Sequence, residues 1–499
     1  MKVLIANRGE IAVRIIRACR EMGYPTVAVY SEPDRAALHV VSADQAMPIG
    51  PAPSRESYLR VDRILDAAKK SGAEAIHPGY GFLAENADFA RACRDAGMLF
   101  IGPSPESIEA MGSKTESRQR MQAAGVPVVP GLTEAVKSFA EIEDFARATG
   151  FPIMIKASAG GGGKGLRLVE REEDLKSAYE RVTSEAEAFF GDGAVYAEKF
   201  IARPRHIEVQ VVGDQLGNIV HVGERECTLQ RRHQKVVEEC PSPVVDAELR
   251  AKLGAMAVKA AAAVNYYSTG TIECLMGPDR EFYFLEMNTR LQVEHPVTEM
   301  VWGVDLVKEQ LRIAQGQPLS FKQEDLRPLG HAIECRIYAE DPSRNFAPSP
   351  GLIRYISLPQ GPGVRNDQGV YAGYTVPVFY DPMLSKLIAH GASREEAIRR
   401  MRRALTEYRV EGIMTTIPFF TFIMNDERFQ AADFDTSFID RLLSTIDVAH
   451  PPASEHDLEA AIAAAAILAF EESQNVKLPD DGPSRWRDVA REEAVRGRL

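Results

Sequence analysis

The chain has 499 residues, of which 45% are hydrophobic and 26% are charged, and its formal net charge at pH 7 is −12. This length exceeds what one ordinary hydrophobic core supports and indicates roughly three domains of a soluble globular protein. The acidic excess argues against electrostatic capture of nucleic acid over a broad surface, although it leaves room for a local basic pocket.

The six cysteines are scattered and form no Cys-x-x-Cys pair: Cys19, Cys93, Cys227, Cys240, Cys274 and Cys335. Their spacing indicates neither a zinc site nor a disulfide framework and is typical of a reducing compartment. The apolar run at residues 3–6 is too short for a secretory signal, and the longest run, 460–470, is too short to cross a bilayer. We therefore expect a cytoplasmic protein.

The first predicted elements alternate between strands and helices. Residues 3–6 and 26–30 are short apolar runs typical of buried strands, and residues 10–22 between them carry apolar side chains at helical spacing. Further strands are predicted at 73–77 and 99–102, each after a helical stretch that ends at a glycine. This alternation predicts a parallel α/β domain.

The pattern changes after a glycine run at residues 160–165. The strands predicted around and beyond it are 151–156, 166–169, 194–200, 206–212, 219–225, 270–275 and 282–288. Several alternate as antiparallel strands do, and an alanine-rich helix at 247–263 interrupts them. A second domain is therefore predicted.

Proline and glycine punctuation at residues 318–330 and 348–363 predicts a third, mostly β domain, which a helix at 394–407 closes. Beyond about Leu443 the sequence changes to a His-Pro-Pro linker, an alanine-rich helix and a charged tail that contains Trp486. This tail could dock a partner, but we expect it to pack on its own chain.

The glycine run is Gly160, Gly161, Gly162, Gly163, Lys164 and Gly165. Glycines let backbone N–H groups wrap a phosphate because no Cβ stands in the way. The run is not a P-loop, since a strand follows Lys164 instead of Ser or Thr and a helix. A hairpin tip without a ligand is the alternative, but Lys156 on the preceding strand favours phosphate binding.

Polar residues occupy every second position of residues 286–294, namely Glu286, Asn288, Arg290, Gln292 and Glu294. In an extended strand these side chains would project from one face, near Glu273 on a neighbouring strand. A solvated face is the alternative. If they converge, the carboxylates of Glu273 and Glu286 with the amide of Asn288 suit Mg²⁺ or Mn²⁺.

Taken together, these segments resemble biotin carboxylase of the ATP-grasp superfamily over about residues 1–443. The resemblance is carried by residues 5–12, 77–86, 111–114, 160–165, 230–239, 286–299 and 334–336. Ala84 stands where the family usually has Ser, and Lys164 where it often has Arg; neither departure removes a charge or a catalytic group. The basic stretch 230–235 would by itself more often be a surface feature, and only the resemblance assigns it to the functional site.

The resemblance implies a mixed α/β and α+β architecture of three domains. It gives a Rossmann-like N-terminal domain at 1–113, an ATP-grasp domain at 114–317 with a mobile lid at about 130–203, and a mostly β C-terminal domain at 330–443. Residues 444–499 form a linker, a helix and a tail. The implied ATP-binding residues are Lys114, Lys156, Gly160 to Gly165, Glu198, Lys199, Ile201, His206, Gln230 and His233.

The resemblance also assigns the chemistry. Bicarbonate is held by Lys235, Arg290, Gln292, Val293 and Glu294, and the metal by Glu273, Glu286 and Asn288. Glu294 removes the bicarbonate proton so that the oxygen attacks the γ-phosphate of ATP and forms carboxyphosphate. Carboxyphosphate breaks down to CO₂ and a phosphate that deprotonates biotin N1′, and Arg336 stabilises the resulting enolate-like charge beside Tyr80 and Gly81.

Partners follow from the same comparison. Arg14, Arg17 and Glu21 lie on one helical face and match the family's dimer contact, so a homodimer is expected. The sequence has no Ala-Met-Lys-Met or Val-Met-Lys-Met segment, which implies a separate biotin carboxyl carrier protein and a carboxyltransferase. The final acceptor, whether acetyl-CoA, propionyl-CoA or pyruvate, is not decided by this sequence.

Two other functions compete with this hypothesis. Another ATP-grasp ligase, such as half of a carbamoyl-phosphate synthase or a purine-pathway carboxylase, would share the nucleotide and bicarbonate chemistry, but residues 77–86 and Arg336 argue against it. A silent ATP-binding module would be expected to have lost Glu294, Lys235 or Arg290, and all three are present.

Overall fold

The computed structural model describes residues 1–132, 136, 138–157, 166–190, 193–232, 234–448, 455–474 and 485–496. The chain divides into two compact units, Met1–Val448 and Ala449–Leu499. Among the residues described, no helix combines the length and apolarity needed to span a bilayer. The glycine run 160–165 and His233 lie outside the described residues.

The strands are β1 (Val3–Ile5), β2 (Thr26–Ser31), β3 (Gln45–Gly50), β4 (Ala75–His77), β5 (Leu99–Phe100), β6 (Ile153–Ala157), β7 (Leu166–Val169), β8 (Val195–Lys199), β9 (Arg205–Gly213), β10 (Ile219–Arg231), β11 (Gln234–Cys240), β12 (Ser268–Met276), β13 (Phe282–Asn288), β14 (His331–Tyr338), β15 (Glu340–Asp341), β16 (Ala347–Pro348), β17 (Gly351–Leu352), β18 (Tyr355–Ser357), β19 (Val364–Gln368), β20 (Thr375–Val376), β21 (Met383–Gly391) and β22 (Arg409–Glu411). The helices are α1 (Gly9–Glu21), α2 (Leu38–Ser42), α3 (Val61–Ser71), α4 (Ala87–Asp95), α5 (Pro105–Gly112), α6 (Lys114–Ala123), α7 (Phe139–Thr149), α8 (Leu175–Phe190), α9 (Ala247–Ala262), α10 (His295–Trp302), α11 (Leu306–Ala314), α12 (Arg394–Glu407), α13 (Ile417–Asn425), α14 (Glu427–Gln430), α15 (Phe438–Leu443), α16 (Glu455–Gln474) and α17 (Arg485–Arg496).

The N-terminal strands form a five-stranded parallel sheet in the order β3-β2-β1-β4-β5. Every residue of β1 and β4 is buried, as expected for central strands that helices cover on both faces. Gly72 ends α3 with φ +67°, a left-handed conformation that glycine adopts without strain. The predicted parallel α/β domain is confirmed, whereas the half-exposed edge strand β3 was not predicted.

A small antiparallel sheet in the order β7-β6-β8 follows. In β6 the buried Ile153 and Ile155 alternate with the half-buried Met154 and Lys156, so one face packs and the other stays open. The packed face shares a core with Val182 and Ala186 of α8. Lys156 therefore lies on the open face.

The largest sheet has eight strands in the order β13-β12-β9-β10-β11-β14-β21-β19, and its paired strands are antiparallel. The pairing of β11 with β14 joins the predicted ATP-grasp region to the C-terminal region in one sheet. Around β14 and β21 the core also includes Met401 of α12 and Phe419 and Phe420 of α13. The sheet thus brings residues from far apart in the sequence onto one surface.

The polar run 286–294 is not the continuous strand that its alternation predicts. Strand β13 ends at Asn288, and Glu294 is the N-cap of α10 with φ −80° and ψ 10°. The chain turns because Leu291 is fully buried in the same core as Val297 and Leu306, and Pro296 sits in the first turn of α10. The Glu294 side chain makes no cap hydrogen bond, so it is available for other contacts.

Arg14 of α1, one of the three residues matched to the family's dimer contact, is bonded within its own chain. Its side chain is 9% exposed and its Nη2 donates to Glu299 Oε1 at 2.9 Å and Asp305 Oδ1 at 2.7 Å. Arg17 and Glu21 are exposed, and Glu21 pairs with Lys308. In the second unit, the expected packing of α16 and of Trp486, which is exposed, stays a prediction.

Candidate active site

Charged and amide side chains converge on the eight-stranded sheet around a cavity of about 570 Å³. The predicted site residues that line it are His206, Gln230, Lys235, Glu273, Glu286, Asn288, Arg290, Gln292, Val293, Glu294 and Arg336. They come from six strands and from the turn between β13 and α10. The polar side chains of residues 286–294 therefore converge as expected, but they do so from the end of β13 and the following turn instead of from one straight strand.

Glu294 lies between two cations. Its Oε1 accepts a hydrogen bond from Lys235 Nζ at 2.6 Å, and its Oε2 accepts one from Arg336 Nη2 at 2.9 Å. Burial opposes ionisation of this carboxyl, but Lys235, Arg336 and Arg225 outweigh it and hold its pKa well below the usual range. Glu294 is thus a carboxylate whose negative charge is held in place.

Lys235 is shared by three buried carboxylates. Besides Glu294, its ammonium donates to Glu208 Oε2 at 2.5 Å and to Glu273 Oε1 at 3.1 Å. Its side chain is 13% exposed. Burial disfavours the charge on Lys235, yet the carboxylates prevail and raise its pKa well above the ordinary value. The lysine stays protonated next to open cavity space, where it can meet an anion.

The three predicted metal ligands lie side by side. Glu273 of β12 and Glu286 of β13 are directly paired across the strands, and Asn288 Nδ2 donates to Glu273 Oε1 at 2.8 Å. Burial opposes ionisation of Glu273, but Lys235 and His206 lower its pKa. His206 Nε2 is 3.0 Å from Glu273 Oε2. Two carboxylates and an amide oxygen at the cavity wall fit an oxygen-preferring divalent cation.

Arg290 and Gln292 are fixed by hydrogen bonds from the turn to residues outside it. Arg290 Nε donates to Glu85 Oε2 at 2.8 Å, and its Nη2 donates to Asn288 Oδ1 at 2.7 Å. Gln292 Nε2 donates to Glu273 Oε1 at 2.7 Å. Hydrogen bonds in two directions hold the Arg290 guanidinium at the cavity wall, so it is oriented before any ligand arrives.

Arg336 joins this cavity to a second one. Its Nε donates to Glu238 Oε1 at 2.6 Å, and burial raises the pKa of Glu238 even though Arg336 opposes that shift. The second cavity, of about 500 Å³, is lined by Tyr80 and Gly81, and Arg290, Val293, Arg336, Tyr338 and Asp381 line both cavities. The predicted biotin residues therefore face the predicted bicarbonate residues across Arg336.

Other predicted ATP residues lie apart from this cluster. Lys156 of β6 is ion-paired with Glu198 of β8, and Lys199 and Ile201 follow in and after β8. Among the described residues, none of these four lines the 570 Å³ cavity. Lys114 begins α6, but its side chain, like Gly160 to Gly165 and His233, lies outside what the structure describes.

Sequence reasoning missed Arg225 of β10, which is fully buried. Its guanidinium bonds Glu208, Gln210 Oε1 at 2.7 Å and Gln292 Oε1 at 2.6 Å. Thr271 and Thr298 accept its remaining bonds. The one available signal was a charged residue at the end of a segment predicted to be an antiparallel strand, 219–225.

Three family models match the chain. They are described as biotin carboxylase, N-terminal domain, over residues 1–108; carbamoyl-phosphate synthase L chain, ATP binding domain, over residues 113–322; and biotin carboxylase C-terminal domain, over residues 334–441. Together they cover most of the first compact unit.

Curated relatives and solved structures agree with these models. Biotin carboxylase of Halalkalibacterium halodurans is 55% identical over 438 residues, which cover 88% of this chain and 97% of the relative. A pyruvate carboxylase subunit of Methanothermobacter thermautotrophicus is 54% identical over 447 residues, covering 89% and 91%. The biotin carboxylase domain dimer of Hydrogenobacter thermophilus 2-oxoglutarate carboxylase, solved with MgADP, ADP and bicarbonate, superposes with a TM-score of 0.80 at 49% identity, covering 89% and 98%.

Proposed function

Because this chain belongs to the biotin carboxylase family, we propose that it uses ATP and bicarbonate to carboxylate biotin that a separate carrier protein presents. The enzyme is then an ATP-dependent C–N ligase that releases ADP and phosphate. The observation that carries the proposal is the position of Glu294, which is bonded to Lys235 and Arg336 beside Glu273 and Glu286 in one cavity.

Glu294 acts as the general base in this proposal. In the structure two cations occupy its two oxygens and lower its pKa, which makes it a weak base. Bicarbonate binds beside Lys235 and Arg290 and competes with Glu294 for the Lys235 ammonium. The stabilisation of the Glu294 carboxylate therefore weakens, and the pKa of Glu294 rises as the substrate binds. The carboxylate then takes the bicarbonate proton while the bicarbonate oxygen attacks the γ-phosphate of ATP.

A divalent cation completes the phosphate side. When bound, Mg²⁺ or Mn²⁺ neutralises charge on the ATP phosphates, and Glu273, Glu286 and Asn288 are the residues that would hold it. We assign Lys114, Lys156 and the glycine run 160–165 to the phosphates. Glu198, Lys199 and Ile201 are assigned to the adenine. His206 is assigned to the ribose, His233 to the phosphates, and Gln230 to the ATP site as a whole.

Biotin belongs in the second cavity. Tyr80 and Gly81 line it, and Arg336 stands where it meets the bicarbonate cavity. Carboxyphosphate formed on one side of Arg336 would release CO₂ next to the ureido nitrogen on the other side. The permanently charged guanidinium then stabilises the enolate-like ureido oxygen.

The assembly follows from the family. We propose a homodimer, to which the exposed Arg17 and Glu21 of α1 contribute, together with a biotin carboxyl carrier protein and a separate carboxyltransferase. The final acyl acceptor is chosen by that carboxyltransferase. The cytoplasmic location expected from the six cysteines stays a prediction.

A carbamoyl-phosphate synthase-like ligase is the alternative, since one matched model bears that description over residues 113–322. The models that match residues 1–108 and 334–441 favour biotin carboxylation instead.

Release of ADP from ATP and bicarbonate, measured with and without free biotin, tests the proposal. We expect hydrolysis to require bicarbonate and to rise several-fold when free biotin is added. Hydrolysis that biotin leaves unchanged, but that ammonia or glutamine stimulates, would support the carbamoyl-phosphate alternative and contradict the proposal.

A further inference from the structure

Lys386 of β21 is a charged residue in the core of the sheet, and no step proposed above uses it. Its side chain is 0% exposed, and in the strand register Lys386 lies directly opposite Arg336 on the adjacent strand β14. Directly paired residues of antiparallel strands project from the same face. Lys386 and Arg336 therefore reach toward the same turn between β13 and α10.

The two cations hold consecutive residues of that turn. Arg336 Nη2 donates to the Glu294 carboxylate at 2.9 Å, and Lys386 Nζ donates to the Val293 carbonyl at 2.8 Å. A hydrogen bond from a charged group is among the stronger ones, and burial keeps water from replacing it. The backbone at Val293 is thus anchored from the sheet one residue before the proposed base.

Glu10 and Tyr80 are two of the groups around this ammonium, and Asp367, directly opposite Lys386 on β19, is a third. Glu10 Oε1 lies 3.3 Å from Lys386 Nζ, and the Tyr80 hydroxyl donates to the same carboxylate oxygen. The Tyr80 ring is 5.9 Å from Nζ. A fully buried ammonium is tolerated only when counter-charge and acceptors surround it, and these groups provide them.

We propose that Lys386 is a positioning residue for carboxylation, which holds the peptide between Val293 and Glu294 by its carbonyl and thereby aims the Glu294 carboxylate at bicarbonate. The inference rests on the proposed function for the identity of the anion. Displacement of a catalytic group by about 1 Å can cost about 100-fold in rate, so an anchor one residue away from the base has leverage. Tyr80 also lines the cavity proposed for biotin. Its contact with Glu10, and that of Glu10 with Lys386, therefore link this cavity to Val293 at the cavity proposed for bicarbonate.

The test compares Lys386→Met, Lys386→Arg and Ser385→Ala in ATP hydrolysis without biotin. Ser385 is the matched control, because it is the buried neighbour on the same strand and its hydroxyl bonds Tyr408 at 2.7 Å, away from Val293. We expect Lys386→Met to raise KM for bicarbonate by about tenfold or more, with KM for ATP within about twofold of wild type. Lys386→Arg should recover part of the loss, and Ser385→Ala should show no such split.

Tyr80→Phe provides a second variant that keeps the ring and removes only the bond to Glu10. It should raise KM for bicarbonate about threefold, in the same direction as Lys386→Met. Unchanged KM for bicarbonate in folded Lys386→Met, or in Tyr80→Phe if Lys386→Met does not fold, would overturn the inference alone. A wild type without bicarbonate-dependent hydrolysis would overturn the proposed function and the inference together.

Discussion

At the scale of single residues, the site depends on how its buried carboxylates are paired with cations. The ammonium of Lys235 serves Glu208, Glu273 and Glu294 at distances of 2.5 to 3.1 Å. Without it, three buried carboxylates would repel one another, and the pKa values of Glu273 and Glu294 would rise. Lys235 therefore keeps Glu273 and Glu294 ionised, and in the proposed function it also binds the anion.

Lys235→Gln should raise KM for bicarbonate by about tenfold or more and lower kcat, because the variant loses an anion contact and perturbs the base. Steady-state kinetics of ADP release at varied bicarbonate would measure both changes. Lys252→Gln is the matched control, since that lysine is 62% exposed and pairs only with Glu248 among the described residues. Equal kinetics for Lys235→Gln and Lys252→Gln would contradict the assignment.

The residues that sequence alone could identify are those in motifs. Glu294, Arg290 and Lys235 lie in continuous segments that resemble the family, and all three line the cavity. Arg225, Glu208 and Glu238 were not predicted as site residues. Their partners lie 15 to 98 residues away in the chain, on other strands and, for Arg225, also in the turn before α10 and in α10 itself. Only the folded structure reveals those contacts.

At the scale of elements, apolar runs predicted β1, β2, β4 and β5 because burial on both faces of a parallel sheet leaves a continuous hydrophobic signature. The continuous strand that alternation predicted over residues 286–294 ends at Asn288, so the prediction is wrong beyond that residue. Alternate polar residues also arise in a turn whose polar side chains bond inward while Leu291 is buried in the core. Periodicity alone does not separate these two cases.

The contact between β11 and α12 gives a pH-dependent prediction. Glu239 accepts bonds from Arg394 at 2.7 and 3.1 Å, and His331 Nε2 lies 2.7 Å away. Burial opposes ionisation of Glu239, but Arg394 and His331 lower its pKa to about 2. Its stabilising contribution is thus complete above the unfolded pKa near 4.5 and is lost as pH falls toward 2.

Glu239→Gln should therefore lower the free energy of unfolding by roughly 3 kcal/mol at pH 7, and by about 1 kcal/mol less than that at pH 4. Urea unfolding at pH 7, 5.5 and 4 would measure the trend. The exposed Glu248→Gln serves as the control for loss of a charge. A cost for Glu239→Gln that grows as pH falls would show that the buried contact does not stabilise the ionised form.

At the scale of the whole molecule, one continuous sheet explains how distant segments build the site. Lys235 lies on β11 and Arg336 on the adjacent β14, although about 100 residues separate them. The fold class was predictable from the order of elements and from the family resemblance. The domain boundaries stay predictions, and the sequence did not indicate that β11, β14 and β21 would share a sheet.

The second compact unit should be dispensable for chemistry. A chain ending at Val448 keeps every residue assigned to the site, and the family models end at residue 441. We expect it to fold and to hydrolyse ATP with free biotin within about twofold of the full chain, because compact units fold separately. Circular dichroism and ADP release would test this, and a truncated chain that folds but is inactive would contradict it.

Transfer of label from ¹⁴C-bicarbonate to free biotin, measured with ATP and Mg²⁺ in the wild type and in Glu294→Gln, tests whether the chain carboxylates biotin with Glu294 as the base. The glutamine has nearly the same shape but cannot accept the bicarbonate proton. We expect labelled carboxybiotin from the wild type and a rate about 100-fold or more lower from the variant. No labelled biotin from the wild type, or equal rates for the two proteins, would contradict it.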